Sequence, residues 1–264
     1  MEIRGVVCAG GRATRLGILT HPQGGQNKHL LAIGDRPMIF YPLKTLEQAG
    51  IKKICLVTGR EHAGDFANLL GDGEVWTRND IPESPPEKIL DLDLTYKVQA
   101  KPGGIAQAIG LAEDFAGSNP IVVMLGDNII QGNIIHQVAA FRQNPERAII
   151  VLKEVPNPRD YGVVELDDRG KITSIEEKPQ DPKSNFAVIG IYMYPPGVFQ
   201  IIRKLKPSPR GELEVTDINR KYLSQNRLDY VILRGWWHDA GRDERSLSTI
   251  GSLVFETGAN DPNL

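Results

Sequence analysis

Cysteine is scarce in this 264-residue chain, which has only Cys8 and Cys55, each inside a short apolar run. Two isolated thiols make neither a disulfide framework nor a zinc site, and they are typical of a reducing compartment. No apolar stretch approaches the ~20 residues that a membrane-spanning helix needs. A strand-like run begins at Ile3, where a secreted precursor would carry a signal peptide. These features predict a cytoplasmic protein without a membrane partner.

An excess of charge of either sign is also lacking. Lysine and arginine number 31 against 33 aspartate and glutamate residues, for a formal net charge of −2. Such a chain has no global basic field, so we expect no nucleic-acid partner. A small phosphate-binding site needs only a few local cations and amides, and remains compatible with this composition. Hydrophobic residues make up 41% of the chain, which is enough for a folded core.

Strand-like and helix-like segments alternate through the first half of the chain. Apolar runs predict strands at residues 3–9, 53–58, 94–99 and 120–125, and helical spacing predicts helices at residues 38–49, 62–70 and 105–115. This order predicts an α/β fold of Rossmann-like type, with a mostly parallel central sheet and helices on both faces. Ligands of such sheets bind at the carboxyl ends of the strands.

The second half is predicted to be richer in strands. Strands are expected at residues 148–154, 162–166, 171–177, 186–194 and 228–234, and helices at residues 197–205, 215–225 and from about 242. The sequence Asp-Asp-Arg-Gly at 167–170 predicts a hairpin turn. Residues 78–88, rich in proline and charge, predict a surface loop. We expect one domain over residues 1–264, with a smaller β-rich part in the second half.

A glycine-rich segment, Ala9-Gly10-Gly11-Arg12-Ala13-Thr14-Arg15-Leu16, follows the first predicted strand. Glycines at such a turn let backbone N–H groups approach an anion, and a nearby cation neutralises it. The segment does not match G-x-x-x-x-G-K-[ST] or G-x-G-x-x-G, which disfavours a P-loop NTPase and a dinucleotide-binding oxidoreductase. Taken alone, it is equally compatible with an ordinary strand–helix turn.

Eight further segments are, as a set, more distinctive than the glycine-rich segment alone. They are Asn27-Lys28-His29-Leu30-Leu31, Arg36-Pro37-Met38-Ile39-Phe40-Tyr41-Pro42, Gly103-Gly104-Ile105-Ala106-Gln107-Ala108, Leu125-Gly126-Asp127-Asn128, Tyr161-Gly162-Val163-Val164, Glu176-Glu177-Lys178-Pro179, Arg210-Gly211-Glu212-Leu213-Glu214-Val215-Thr216-Asp217-Ile218-Asn219 and Trp237-His238-Asp239-Ala240-Gly241. With the glycine-rich segment, and in this order, they resemble the glucose-1-phosphate thymidylyltransferases, in their short form, among the sugar-1-phosphate nucleotidylyltransferases. The resemblance covers nearly the whole chain.

The resemblance implies transfer of a nucleotidyl group from dTTP to glucose 1-phosphate, giving dTDP-glucose and pyrophosphate. The partners would be a nucleoside triphosphate and a sugar 1-phosphate, the cofactor Mg²⁺, and the assembly a homo-oligomer. Both substrates are polyanions, so cations, amides and metal should dominate the site. The nucleotide half would span residues 1–130 approximately, and the sugar half residues 131–264.

Matching the family's motifs residue by residue gives each candidate a role. Triphosphate and base binding fall to Gly10, Gly11, Thr14, Arg15, Gln99, Gly104 and Asp127, sugar binding to Tyr161, Gly162, Glu177, Lys178 and Val188, catalysis to Arg15, Lys28, Lys178 and Arg210, and Mg²⁺ to Asp127 and Asp239. Simpler roles exist for some of them. Asp127 could cap a helix, and Arg210 could pair only with Glu212 or Glu214 in solvent. Trp236, Trp237 and Tyr41 are expected to be packing residues.

The departures from the family pattern cluster on the triphosphate side. Ala13 stands where the family has a third glycine, Ile18 replaces a usual proline, the stretch around Gly24-Gly25 is longer, and Arg242 replaces a usual threonine. Two alternatives therefore stay open. One is a transferase for UTP or another hexose phosphate, because one methyl group is worth only ~1–3 kcal/mol. The other is a non-catalytic nucleotide-sugar-binding paralogue.

Overall fold

The computed structural model describes residues 1–10, 27–76, 88–241 and 244–257. Within these ranges the strands are β1 Arg4–Ala9, β2 Ala32–Ile33, β3 Arg36–Pro37, β4 Lys53–Gly59, β5 Glu74–Trp76, β6 Lys88–Asp91, β7 Asp93–Gln99, β8 Ile121–Leu125, β9 Asn128–Ile130, β10 Ala148–Glu154, β11 Gly162–Leu166, β12 Ile172–Glu177, β13 Phe186–Tyr194, β14 Leu228–Ile232 and β15 Trp237–Asp239. The α-helices are α1 Phe40–Gln48, α2 Ala63–Leu70, α3 Ile105–Gly110, α4 Glu113–Ala116, α5 Ile135–Gln143, α6 Val198–Ile202, α7 Val215–Ser224 and α8 Glu244–Thr257. Short 3-10 helices lie at Lys28–Leu30, Arg60–His62 and Pro158–Asp160.

A large sheet organises the described part of the chain. Its order is β12-β11-β13-β8-β1-β4-β7, and β10 and β14 join it through β13. Strands β8, β1, β4 and β7 run parallel, as the alternation in the first half predicts. Strands of the second half pair mainly antiparallel, with β13 beside β8, β10 and β11. The α/β class, the parallel core and the strand-rich second half are therefore confirmed.

Helices cover both faces of the sheet. Successive residues of a strand point to opposite sides, so they pack against different helices. In β1, Val7 packs with residues of α1, α2 and α5, whereas its neighbour Val6 packs with residues of α3, α4, α6 and α7. The same alternation occurs in β4 at Leu56 and Val57. A third apolar cluster contains Tyr41 with residues of β9 and α8, and Trp236 packs against it.

Several elements differ from the sequence prediction. The helix expected at 105–115 is two helices, because the chain tightens between them: the N–H of Ala112 bonds the carbonyl of Ile109, three residues back. Gly110 lies at this break, and a side chain there would press on Ile202 of α6. The sequence reading also missed helix α5 and the hairpins β2–β3 and β5–β6. Most of the predicted 78–88 loop lies outside the described residues, and Lys88 begins β6.

The parallel strands bring distant parts of the sequence to one edge of the sheet. Strand β1 leads into Gly10, β4 ends at Gly59 and β7 ends at Gln99. A Cβ placed on Gly10 would lie 2.9 Å from Oε1 of Gln99 and 3.3 Å from the backbone nitrogen of Gly59. Glycine is thus the residue that fits here. Among the described helices, none combines the length and apolarity needed to cross a membrane.

Candidate active site

A first cavity opens at the carboxyl ends of β1, β7 and β8, and we call it the Gly10 cavity. Its lining includes Cys8, Gly10, Lys28, His29, Gln99, Lys101, Pro102, Gly104, Ile105, Ala108, Leu125, Asp127 and Glu212. All described residues that the sequence assigns to the nucleotide line this cavity. Gly11, Thr14 and Arg15 lie outside the described residues, as do the departures at Ala13, Ile18, Gly24-Gly25 and Arg242.

Gln99 is held rigidly at the end of β7. Its side chain is buried, and Nε2 donates to the carbonyl of Gly104 at 3.2 Å and to Oε1 of Gln107 at 2.8 Å. Gly104 itself has φ +94°, a conformation that favours glycine. A Cβ at Gly104 would also collide with the backbone of Leu213. Gln107, which sequence reasoning passed over, therefore fixes the amide expected to read the base.

Lys28 and Asp127 form the central ion pair of the site. Lys28 Nζ lies 2.5 Å from Asp127 Oδ2, and only 13% and 14% of the two side chains are exposed. Gly241 packs directly on this pair, since a Cβ there would overlap Lys28 Nζ and Asp127 Oδ2. This packing explains the glycine in Asp239-Ala240-Gly241. Lys28 is not solvated, and Asp127 pairs with a cation across 99 residues instead of capping a helix.

The charge state of the pair follows from its surroundings. Burial opposes ionisation of Asp127, but the charge of Lys28 and hydrogen bonds from Lys28 and Asn128 hold its pKa below the usual range. Burial, aided by the charge of Lys28, lowers the pKa of His29 to about 3. The neutral ring donates from Nδ1 to Asn27 Oδ1 at 2.8 Å. The site thus keeps an ionised carboxylate beside a neutral imidazole.

Asn128 links the two halves of the site, although sequence reasoning gave it no role. Its Oδ1 accepts from the Gly190 N–H at 2.9 Å and from Trp237 Nε1 at 2.7 Å, while Nδ2 donates to Asp127 Oδ1 at 2.9 Å. The residue is 3% exposed. Its position in Gly126-Asp127-Asn128, directly after a strand, was the available signal. Asn128 ties β9, β13 and β15 to the Asp127 carboxylate.

We expect Asn128→Ala to lower the free energy of unfolding by about 2–4 kcal/mol, because a buried donor and a partly buried donor lose their acceptor. Urea denaturation at neutral pH measures this loss. Asn133→Ala is the matched control, since the side chain of Asn133 caps an exposed turn at Ile135. Equal costs for the two variants would contradict the role of Asn128.

A second, smaller cavity of about 190 Å³ lies under β11, β12 and β13 and is called the Glu177 cavity. It is lined by every residue that the sequence assigns to the sugar, its phosphate or the metal: Asp127, Tyr161, Gly162, Glu177, Lys178, Val188, Arg210 and Asp239. Gly162 and Val188 face each other across β11 and β13. Tyr161 packs edge-on against Trp237 with ring centroids 5.4 Å apart, so Trp237 packs as predicted while also lining this cavity.

Carboxylates surround Arg210 at the mouth of the Glu177 cavity. Nη2 lies 2.9 Å from both oxygens of Glu214, 3.4 Å from Glu177 and 3.7 Å from Glu212. Burial works against the cation, but hydrogen bonding to Glu214 and the nearby carboxylates raise the pKa of Arg210. Glu177 also accepts from Thr216 at 2.5 Å. Arg210 therefore pairs with both Glu212 and Glu214, and it reaches Glu177 as well.

Lys178 contrasts with Arg210 in its charge environment. Within the described part of the chain, its ammonium has no carboxylate partner within salt-bridge distance, although the residue lines the same cavity. Its backbone has φ +45°, which costs a non-glycine residue about 1–2 kcal/mol. The N–H of Lys178 donates to the carbonyl of Tyr161 at 2.9 Å. Backbone strain at a lysine that has no carboxylate partner is typical of a binding site.

The two carboxylates expected to bind metal are brought together by strand pairing. Asp239 on β15 lies opposite Asn128 on β9, and the Ala240 N–H donates to the carbonyl of Asp127 at 2.8 Å. Both side chains line the Glu177 cavity. No group of three or more metal-ligating side chains occurs in the described ranges. Two carboxylates suit Mg²⁺, which completes its shell with phosphate oxygens and water.

Known proteins resemble this chain in sequence and in fold. The nucleotidyl transferase family model matches residues 4–250. A glucose-1-phosphate thymidylyltransferase of Neisseria meningitidis is 40% identical over 268 residues, covering 99% of this chain and 85% of that protein. The low-salt glycan biosynthesis nucleotidyltransferase Agl11 of Haloferax volcanii is 36% identical, over 96% of this chain and 66% of its own length. A crystal structure of a Bacillus anthracis protein assigned as a glucose-1-phosphate thymidylyltransferase, in complex with sucrose, superposes with a TM-score of 0.84 at 43% identity, covering 96% of each chain.

Proposed function

Since the chain belongs to the nucleotidyl transferase family, we propose that it transfers the thymidylyl group of dTTP to glucose 1-phosphate. An oxygen of the sugar phosphate attacks the α-phosphorus of dTTP and forms the new phosphate–phosphate bond. The bond from the α-phosphorus to the bridging oxygen of the β-phosphate breaks, and pyrophosphate leaves with that oxygen. The attacking phosphate is already ionised, so the reaction requires positioning and charge stabilisation more than proton transfer.

The observation that carries this proposal is the contact between the two cavities at Asp127. The Gly10 cavity and the Glu177 cavity share Asp127 together with Leu125, Ile105 and Glu212. A triphosphate in the first cavity and a sugar phosphate in the second would meet at this carboxylate. The arrangement supports a reaction that joins two phosphorylated substrates, and Lys28 beside Asp127 supplies a cation at the junction.

The remaining residues divide between the two substrates. Gln99, whose Nε2 donates to Gln107 and Gly104, would offer its Oε1 to the base. Glu177 keeps free acceptor capacity beyond its bonds with Thr216 and Arg210, and suits the hydroxyls of a sugar. Lys178, which lines the Glu177 cavity, would hold the sugar phosphate. Arg210 would contribute its charge from within its carboxylate cluster, and Arg15 would act on the triphosphate as the family resemblance implies.

We propose Mg²⁺ as the cofactor, held by Asp127 and Asp239. When bound, it supplies positive charge to phosphate oxygens and orders them. The ionised state of Asp127 suits a cation ligand. Removal of divalent ions with EDTA is expected to abolish turnover, and added Mg²⁺ to restore it; turnover that survives EDTA would overturn the assignment. The homo-oligomer expected from the family stays a prediction, and so does the single-domain organisation.

The choice of substrates is tested by measuring pyrophosphate release with dTTP, UTP and other triphosphates against a set of sugar 1-phosphates. We expect dTTP with glucose 1-phosphate to give the highest kcat/KM. Equal or better use of UTP would contradict the thymidylyl assignment. Ligand binding without turnover for every pair would instead support the non-catalytic alternative.

Lys178→Ala is expected to raise the KM for glucose 1-phosphate by roughly tenfold to a hundredfold, since a charge-assisted bond contributes about 1.5–3 kcal/mol. The dissociation constant of dTTP should change by less than about threefold, because Lys178 lines the Glu177 cavity but not the Gly10 cavity. Lys183→Ala is the matched control, as Lys183 forms an exposed pair with Glu165. An unchanged KM in Lys178→Ala would remove this residue from the sugar-phosphate site.

A further inference from the structure

A third cavity lies between α6 and α7, away from the two cavities already described, and is called the α6–α7 cavity. Its volume is about 550 Å³, within the roughly 300–1,000 Å³ that small-molecule sites occupy. Four basic side chains line it, Lys204, Arg220, Lys221 and Arg227, against the single acid Asp217. For a chain of net charge −2, this is a local excess of positive charge.

The two arginines are partly compensated, but the two lysines are not. Arg220 Nη1 donates to Asp217 at 3.0 Å, and Arg227 bonds the carbonyl and carboxylate of Glu146. Neither Lys204 nor Lys221 has a carboxylate within 4 Å in the ranges that the structure describes. Two exposed lysines with no paired carboxylate in those ranges therefore line one cavity, and such a local excess of positive charge favours an anionic ligand.

Behind the wall of the α6–α7 cavity lies a buried tyrosine. Tyr222 is 1% exposed, and its hydroxyl has no hydrogen-bond partner among the described residues. The guanidinium carbon of Arg227 lies 5.9 Å from the centre of the Tyr222 ring. Ile201 and Leu205 add apolar surface. A ligand with an anionic head and an apolar or ring-shaped body would match the lysines and the apolar surface.

Two structural connections lead from this cavity to the Glu177 cavity. Helix α7 carries Thr216, which bonds Glu177, and six residues later Tyr222. A stack of tyrosines runs in parallel: the rings of Tyr192, Tyr194 and Tyr222 follow one another at centroid distances of 5.9 Å. Tyr192 lines the Glu177 cavity and Tyr222 lines the α6–α7 cavity. A shift of α7 would therefore move residues at both cavities.

We propose that the α6–α7 cavity is a second binding site, for a small phosphate ester, and that its occupancy alters the Glu177 cavity through α7 and the tyrosine stack. The phosphate would lie against Lys204 and Lys221, and the organic part against Ile201 and Leu205, with Tyr222 behind them. Binding at this site is independent of the proposed transferase activity. The coupling rests on that function only in taking glucose 1-phosphate as the ligand of the Glu177 cavity.

Phenyl phosphate is a suitable probe because it combines a phosphate with a ring and is neither a nucleotide nor a sugar phosphate. Its binding is measured by calorimetry and located by hydrogen–deuterium exchange of α6 and α7. We expect Lys204→Gln/Lys221→Gln to weaken binding about tenfold or more. The control Lys52→Gln/Lys53→Gln removes two surface lysines outside this cavity and should bind as the wild type does.

Three outcomes would overturn the site: no binding of phenyl phosphate, equal affinity in the two double variants, or exchange protection confined to the Gly10 and Glu177 cavities. Inorganic phosphate, tested in parallel, separates the contribution of the ring. If it binds as tightly as phenyl phosphate, the site takes phosphate alone and the assignment to a phosphate ester is wrong.

Coupling is tested by the affinity for glucose 1-phosphate with and without saturating phenyl phosphate. We expect a change of about fivefold in the wild type, and none in Lys204→Gln/Lys221→Gln. An equal change in both proteins would mean competition at the Glu177 cavity and would overturn the coupling. A wild type that binds phenyl phosphate at α6–α7 but does not turn over dTTP would contradict the proposed function and leave the second site intact.

Discussion

Replacing Asp127 with asparagine is expected to lower kcat about 10²–10³-fold, the size of effect seen when one group that stabilises transition-state charge is removed. The substitution keeps the shape of the side chain and an oxygen that can accept from Asn128 Nδ2. It removes the negative charge at the position shared by both cavities. In the proposed mechanism that charge acts twice: it would hold Mg²⁺, and it pairs with Lys28, whose Nζ lies 2.5 Å away.

The measurement combines steady-state kinetics with Mg²⁺ titration of the purified variant. Asp160→Asn is the matched control, because Asp160 lines the Glu177 cavity but is exposed, and its kcat should stay within about threefold. Weakened Mg²⁺ affinity in Asp127→Asn would assign the loss to the metal. Unchanged Mg²⁺ affinity with a low kcat would assign it to Lys28. A kcat within tenfold of the wild type would remove Asp127 from the reaction.

The sequence was sufficient to predict the architecture, and to bring the candidate residues to one edge of the sheet, because its signals are local. Apolar runs such as 53–58 become strands, and residues at their ends, such as Gln99 and Asp127, lie at one edge of the parallel sheet. Carboxyl ends of parallel strands meet there for any sequence of this pattern. The resemblance to a family then assigned roles, and the described residues that it named line two adjoining cavities.

Such local signals could not predict contacts between side chains from distant segments. Nothing in the sequence pairs Lys28 with Asp127, places three glutamates around Arg210 or gives Asn128 its bonds to Trp237 and Gly190. These contacts depend on register and on helix placement, which pattern alone leaves open. Helix α5 was missed for a related reason: it buries mainly Val138 and Phe141, too few apolar positions for a clear period.

His29 is expected to make the folded state sensitive to acid. Burial and the charge of Lys28 lower its pKa to about 3 in the folded protein, against about 6.5 in an unfolded chain. As the pH falls below about 6.5, the unfolded state takes up a proton that the folded state does not. The free energy of unfolding therefore declines from pH 6.5 towards 3, by up to about 5 kcal/mol from this one group.

His29→Gln should remove most of that decline, because glutamine does not titrate. Urea denaturation at a series of pH values from 8 to 4 measures the effect. His136→Gln is the control, since His136 is exposed, and its curve should follow that of the wild type. A His29→Gln curve as steep as the wild type's would mean that another buried group governs the acid response. The flattening expected instead would show that the neutral imidazole beside the Lys28–Asp127 pair limits the stability of the fold in acid.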